Sequence, residues 1–81
     1  MAQVWAARGL LHAWDDEAAA AIIRATTDDA WRVREMAAKV VARYRIDDAL
    51  DAMVDLQADE VPRVRSAAGR AVVALTTQIW G

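Results

Sequence analysis

Equivalent residues recur 31 positions apart along this chain, and that recurrence limits its fold more than any other feature. The segment WRVREMAAKVVA at 31–42 lies over PRVRSAAGRAVV at 62–73. Asp28 falls on Asp59, Arg32 on Arg63, Val33 on Val64, Arg34 on Arg65, Ala37 on Ala68 and Val41 on Val72. Charge sign is kept where Asp29 meets Glu60 and Lys39 meets Arg70. The same offset places Asp16 on Asp47, Ala18 on Ala49, Ala21 on Ala52, and Ile22 and Ile23 on Met53 and Val54. Fixed-period self-similarity of this kind marks units that bury their apolar edge only by stacking on one another.

Within a unit the periodicity is helical. Ala30, Val33, Ala37, Val40, Val41 and Tyr44 follow an i, i+3, i+4, i+7 stripe that predicts one buried helix face. Leu50, Met53, Val54 and Gln57 predict a shorter stripe on the next segment. Asp15 or Asp16, Asp28 or Asp29, and Asp47 or Asp48 stand where short carboxylates cap free first-turn N–H groups. Pro62 stands where a first helical turn has no N–H bond to lose. Five antiparallel helices are predicted, at about 2–13, 15–26, 30–44, 47–57 and 61–79, joined by short connections. Twenty alanines and no phenylalanine suit close helix approach, and Gly69 within the last helix predicts a point of closest approach. The fold expected is an all-α superhelix forming a single domain over 1–81, with units of about 1–27, 28–58 and an incomplete 59–81.

The segments D-D-A-W-R-V-R-E-M-A-A and D-E-V-P-R-V-R-S-A-A, each an acidic turn followed by V-R and an alanine pair, resemble HEAT repeats. The likeness is to the short phycobilisome-lyase-like class, and it is weakest over 1–14, where the aspartate and V-R are absent. It implies a short helical solenoid, and it implies that Asp28, Arg34, Asp59 and Arg65 form an inter-repeat ladder. It also implies that second helices line a concave side and first helices a convex one. A paired, buried arginine of this kind is costly to break when one partner is removed.

Composition excludes several functions. The chain has one histidine, His12, one serine, Ser66, and no cysteine, so a nucleophile with an adjacent base, a disulfide and a thiolate metal site are all missing. His12 reads as a cap near the end of the first helix. The spacing of Asp47, Asp48, Asp51 and Asp55 fits no calcium loop or zinc motif, and neither Gly9 nor Gly69 sits in a phosphate-cradling loop. No catalytic residue, cofactor or metal is expected. The longest apolar run is six residues, at 18–23, far short of the roughly 18 that span a bilayer. With no basic stretch leading into an apolar one at the start, the expected location is cytoplasmic.

Charge placement is the informative surface feature. First-of-pair helices carry Arg8, Arg32, Arg34, Lys39, Arg43, Arg45, Arg63, Arg65 and Arg70, which are nine of the ten basic residues. Second-of-pair segments and their turns carry most of the acids. The expectation is a non-catalytic scaffold that binds another protein or a basic peptide on Glu17, Asp48, Asp51 and Asp55. Nucleic acid along Arg32, Lys39, Arg43, Arg63 and Arg70 is a weaker alternative, opposed by a pI near 5.2. The resemblance alone supplies another, an accessory role in tetrapyrrole (bilin) attachment or removal. Trp31 is expected to be half-exposed at a helix start, with Trp5 and Trp14 on the first hairpin. Apolar Val72, Ile79 and Trp80 on the last helix predict a homodimer contact.

Overall fold

The computed structural model describes residues 16–77. They form α1 (Asp16–Ala25), α2 (Trp31–Tyr44), a 3₁₀ turn (Asp47–Ala49), α3 (Leu50–Leu56) and α4 (Pro62–Thr76). No strand occurs among the described residues. The expected helices at 15–26, 30–44, 47–57 and 61–79 thus appear with trimmed ends, and the second of them from the end opens with a 3₁₀ turn. The expected helix at 2–13 lies outside the described residues, as do His12, Trp5, Trp14, Ile79 and Trp80.

The main packing is between first-of-pair helices, α2 on α4, with α3 also against α4 and α1 against both α2 and the 3₁₀ turn. Alanines make this closeness possible. Ala38, Ala49, Ala67, Ala68 and Ala71 are buried at the contacts, with Val41, Met53, Leu56, Val64 and Leu75 filling the space between. The largest fully buried side chains are only Met53, Val41 and Val64, so the apolar layer is thin.

The hairpin between α2 and α3 turns on Arg45, whose backbone adopts the left-handed conformation at φ 52°. Its N–H and that of Ile46 both return to the Val41 carbonyl, which closes the helix end. The reversal drops Ile46 into the core. Ile46 also occupies the cap position of the 3₁₀ turn, and no side-chain capping bond is made there. The expected cap by Asp47 or Asp48 is therefore replaced by an apolar anchor, and the two acids enter the first turn.

Two expected stripes need correction. On α2, Ala37 and Val41 are buried and Val40 is half-buried, but Ala30, Val33 and Tyr44 are exposed. On α3, Met53 is buried, whereas Val54 is 50% exposed and Gln57 lies in solvent. Leu56 and Ala49 take their places inside. The cause is neighbour order. Val64 is fully buried because α2 lies against α4, while its repeat equivalent Val33 is 38% exposed. The helix that the repeat register would set on Val33, expected at 2–13, is outside the described residues. Gly69 also departs from expectation, because a Cβ built there meets nothing within 4 Å.

Two outcomes follow from this packing. Met53→Ala removes the largest fully buried side chain and should destabilise by about 2–5 kcal/mol, while Val54→Ala should stay within about 0.5 kcal/mol; chemical denaturation of both variants measures the contrast. Gly69→Ala should stabilise by about 1 kcal/mol, since it improves helix propensity in open space. A fall in stability for Gly69→Ala would mean that the residue is already closely packed.

Candidate functional site

The polar seam of the structure begins at the two acidic turns. The Asp28 carboxylate accepts the N–H of Ala30 at 2.8 Å, and the Asp59 carboxylate accepts the N–H of Val61 at 2.9 Å. Each aspartate lies two residues before the amide it binds, so it fixes the turn ahead of a first-of-pair helix. Each turn then receives an arginine from the helix it leads. Nη1 of Arg34 donates to the Asp28 carbonyl at 2.8 Å, and Nη1 of Arg65 donates to the Asp59 carbonyl at 2.8 Å. Arg34 adds a bond to the Asp29 carbonyl at 3.0 Å.

Between repeats, Arg34 and Asp59 meet. Nε of Arg34 donates to one Asp59 carboxylate oxygen at 2.8 Å and Nη2 to the other at 3.2 Å. This is the parallel two-bond fork that suits a planar guanidinium. The side chains are 13% and 9% exposed, which limits water's competition. The hydrogen bonds from Arg34 hold the Asp59 carboxyl below the usual carboxylate range, helped by the Val61 amide and opposed by burial. The bond to Asp59 likewise raises the Arg34 guanidinium above its ordinary value. Asp28 and Arg34 are joined through the Asp28 main-chain oxygen and not through its carboxylate.

A second cross-repeat link lies on the outer face and escapes the repeat comparison. Glu35 accepts Nε of Arg63 at 3.2 Å and lies 3.5 Å from the Lys39 ammonium, four residues along its own helix. Glu35 aligns with Ser66, so the 31-residue register discards it; its i, i+4 spacing to Lys39 was the available signal. Trp31, half-buried at the start of α2, carries Arg32 and Arg63 at 5.3 and 5.7 Å from its ring centroid. Lys39, Arg63 and Arg70 share a cleft of about 310 Å³ between α2 and α4, with Glu35 among its walls. Arg43 stands apart, over the Tyr44 ring at 5.7 Å.

The four carboxylates expected to receive a partner are exposed. Glu17 lies in the first turn of α1, Asp48 in the 3₁₀ turn, and Asp51 and Asp55 one turn apart on α3. Glu17 and Asp48 are repeat equivalents, and α1 packs on the turn that carries Asp48. None of the four makes an ion pair among the described residues. At the expected dimer contact, Val72 is half-buried against the core of its own chain, and its neighbour Val73 is the exposed one. Among the described residues no group of three or more His, Cys, Asp or Glu is placed to hold a metal ion, and no helix is long and apolar enough to cross a membrane.

Asp28 and Asp59 make the same turn bond, but only Asp59 carries the cross-repeat fork. The cap position of α2 is Ala30 and no side chain caps it, so the expected cap by Asp28 or Asp29 is replaced by this turn bond. Asp28→Ala should lose about 1 kcal/mol, the worth of one hydrogen bond, a fall of about 4–8 °C in Tm for so small a domain. Asp59→Ala should fall further, and equal losses would show that the Arg34 contact adds nothing. Because its native pKa is depressed, Asp59 contributes stability that is fully present above the ordinary value of about 3.9 and is lost as pH falls through the native value. The stability gap between the native chain and Asp59→Asn should therefore hold steady from about pH 7 to 5 and narrow below about pH 4.

Comparison with curated proteins and with solved structures gives no match. A family model does match, that of HEAT repeats, over residues 1–73, and it speaks for the repeat class without singling out the phycobilisome-lyase-like units. With helical hairpins stacked by an aspartate–arginine seam and the family model spanning most of its length, this chain belongs to the HEAT-repeat family.

Proposed function

We propose that the chain is a non-catalytic scaffold that binds another protein, taking a cationic segment of it on Glu17, Asp48, Asp51 and Asp55. HEAT repeats are commonly protein-interaction scaffolds. The observation that carries the finer reading is the unequal use of charge. Arg34 is taken up by Asp59, Arg63 by Glu35 and Trp31, and Arg32 by Trp31. The four carboxylates on the second-of-pair elements stay solvated and without an ion pair among the described residues. They line consecutive units, so an extended basic peptide crossing them would meet one acidic group after another.

Exposed pairs are individually weak, and their attraction is screened over about 10 Å at 0.1 M salt. Affinity on this face must come from several contacts made together. A lysine- and arginine-rich peptide titrated onto the full chain should bind with salt-sensitive affinity. The fourfold variant Glu17→Gln, Asp48→Asn, Asp51→Asn, Asp55→Asn should bind it at least about tenfold more weakly, since each 1.4 kcal/mol lost is a factor of ten. Equal affinity of the two proteins would remove the acidic face from the reading.

A further inference from the structure

We propose that the outer groove between α2 and α4 holds a phosphorylated side chain of a partner protein, gripping its phosphate with Lys39, Arg63 and Arg70. The helix registers bring these groups together. On α4, Arg63, Ser66 and Arg70 stand three and four residues apart and so share one face. Glu35 and Lys39, four apart, present the facing side of α2. Together they line the cleft of about 310 Å³ between the two helices.

A departure from the repeat leaves this groove short of negative charge. Lys39 and Arg70 are repeat equivalents, and so are Glu35 and Ser66. Lys39 therefore has a carboxylate one turn before it, 3.5 Å away, whereas Arg70 has only a hydroxyl there. Arg70 makes no ion pair among the described residues, and the exposed Ser66 hydroxyl makes no hydrogen bond among them. Arg63 spends Nε on Glu35 at 3.2 Å and keeps both Nη groups for another acceptor. Three cations against the single Glu35 carboxylate, whose side chain is 13% exposed, leave an excess of two positive charges.

That excess selects the ligand. A carboxylate side chain brings one charge; a phosphate monoester brings nearly two near neutral pH, with three oxygens to accept from arginine, lysine and serine donors. The openness of the groove selects what carries the phosphate. The side chains of Lys39 and Arg63 are 53% and 68% exposed, so the groove does not wrap a small free anion as enclosed ligand sites do. A chain laid across the surface reaches further contacts. Beyond the shared wall of Glu35, Lys39 and Arg63 lies a second hollow of about 340 Å³, where Trp31 and the 62% exposed Met36 supply apolar surface. It suits an apolar side chain next to the phosphorylated one. A nucleic-acid backbone fits less well, because it needs a row of cations following successive phosphates. Arg34 is committed to Asp59 and Arg43 stands apart over Tyr44. The Trp31 ring, on which a base would stack, already carries Arg32 and Arg63.

The groove is formed by other elements than those bearing Glu17, Asp48, Asp51 and Asp55, so the two readings fail separately. The test uses the full chain and an array of short synthetic peptides with phosphoserine at the centre and every flanking residue varied. The same peptides with serine or glutamate at the centre serve as the comparison. Saturable binding of phosphorylated members is expected, strongest where an apolar residue adjoins the phosphoserine. By fluorescence anisotropy the serine and glutamate forms of the best peptide should bind at least about tenfold more weakly, the worth of one charge-assisted hydrogen bond. Arg70→Gln, which breaks no ion pair within the described residues, should weaken the phosphorylated peptide by a similar factor. Met36→Ala should erase the preference for an apolar neighbour and leave the preference for phosphate. The fourfold change at Glu17, Asp48, Asp51 and Asp55 should not weaken binding. Absence of binding by every phosphorylated member would overturn the proposal, as would a glutamate form that binds equally well or undiminished binding to Arg70→Gln. Inorganic phosphate bound as tightly as the peptide would assign the groove to a free anion. A single-stranded oligonucleotide that binds more tightly than the peptide and depends on Arg70 would assign it to nucleic acid. Either result overturns the proposal as well.

Discussion

The Arg34 guanidinium ties three pieces of backbone together: its own helix, the turn before it and the turn of the next unit. Two carbonyls hold it from one side and the Asp59 carboxylate from the other. That arrangement does two jobs with one side chain. It satisfies turn oxygens that lie outside any helix ladder, and it fixes the register between α2 and α4. Alanine faces alone could slide, because small side chains offer few interlocking ridges. The directional fork prevents that, and its carboxylate is also occupied by the Val61 amide, so the start of α4 and the spacing of the units are set together.

Much of this was legible in the amino-acid sequence, and the reason is periodicity. Asp28, Arg34, Asp59 and Arg65 stand out because each unit needs the same turn at the same place. Helix positions were likewise readable from apolar spacing. The errors share one origin. Val33 and Val64, or Tyr44 and Leu75, are identical in repeat position and differ in burial, because burial depends on which neighbour lies alongside. A repeat comparison averages over neighbours and cannot see that difference. Glu35 escaped the repeat comparison for the opposite reason, being present in one unit and replaced by Ser66 in the next, and only its spacing to Lys39 marked it.

The surface chemistry divides along the same lines. Two cations, Arg34 on α2 and Arg63 on α4, are drawn into contacts that cross from unit to unit, with Asp59, Glu35 and Trp31 as their partners. Glu17 on α1, Asp48 in the 3₁₀ turn, and Asp51 and Asp55 on α3 are exposed. Cohesion between units thus draws on Asp59 and Glu35 as much as on Arg34 and Arg63, while Glu17, Asp48, Asp51 and Asp55 stay at the surface.

The thin apolar layer has a consequence for how such a chain persists in a cell. With Met53, Val41 and Val64 as the bulkiest side chains fully enclosed, the folded state has little reserve, as small domains generally do. Any molecule that grips the folded stack and ignores the unfolded chain adds RT ln(1 + [L]/Kd), about 2.7 kcal/mol at a hundredfold excess over Kd. Against the roughly 5–15 kcal/mol typical of folded domains that increment is a substantial share.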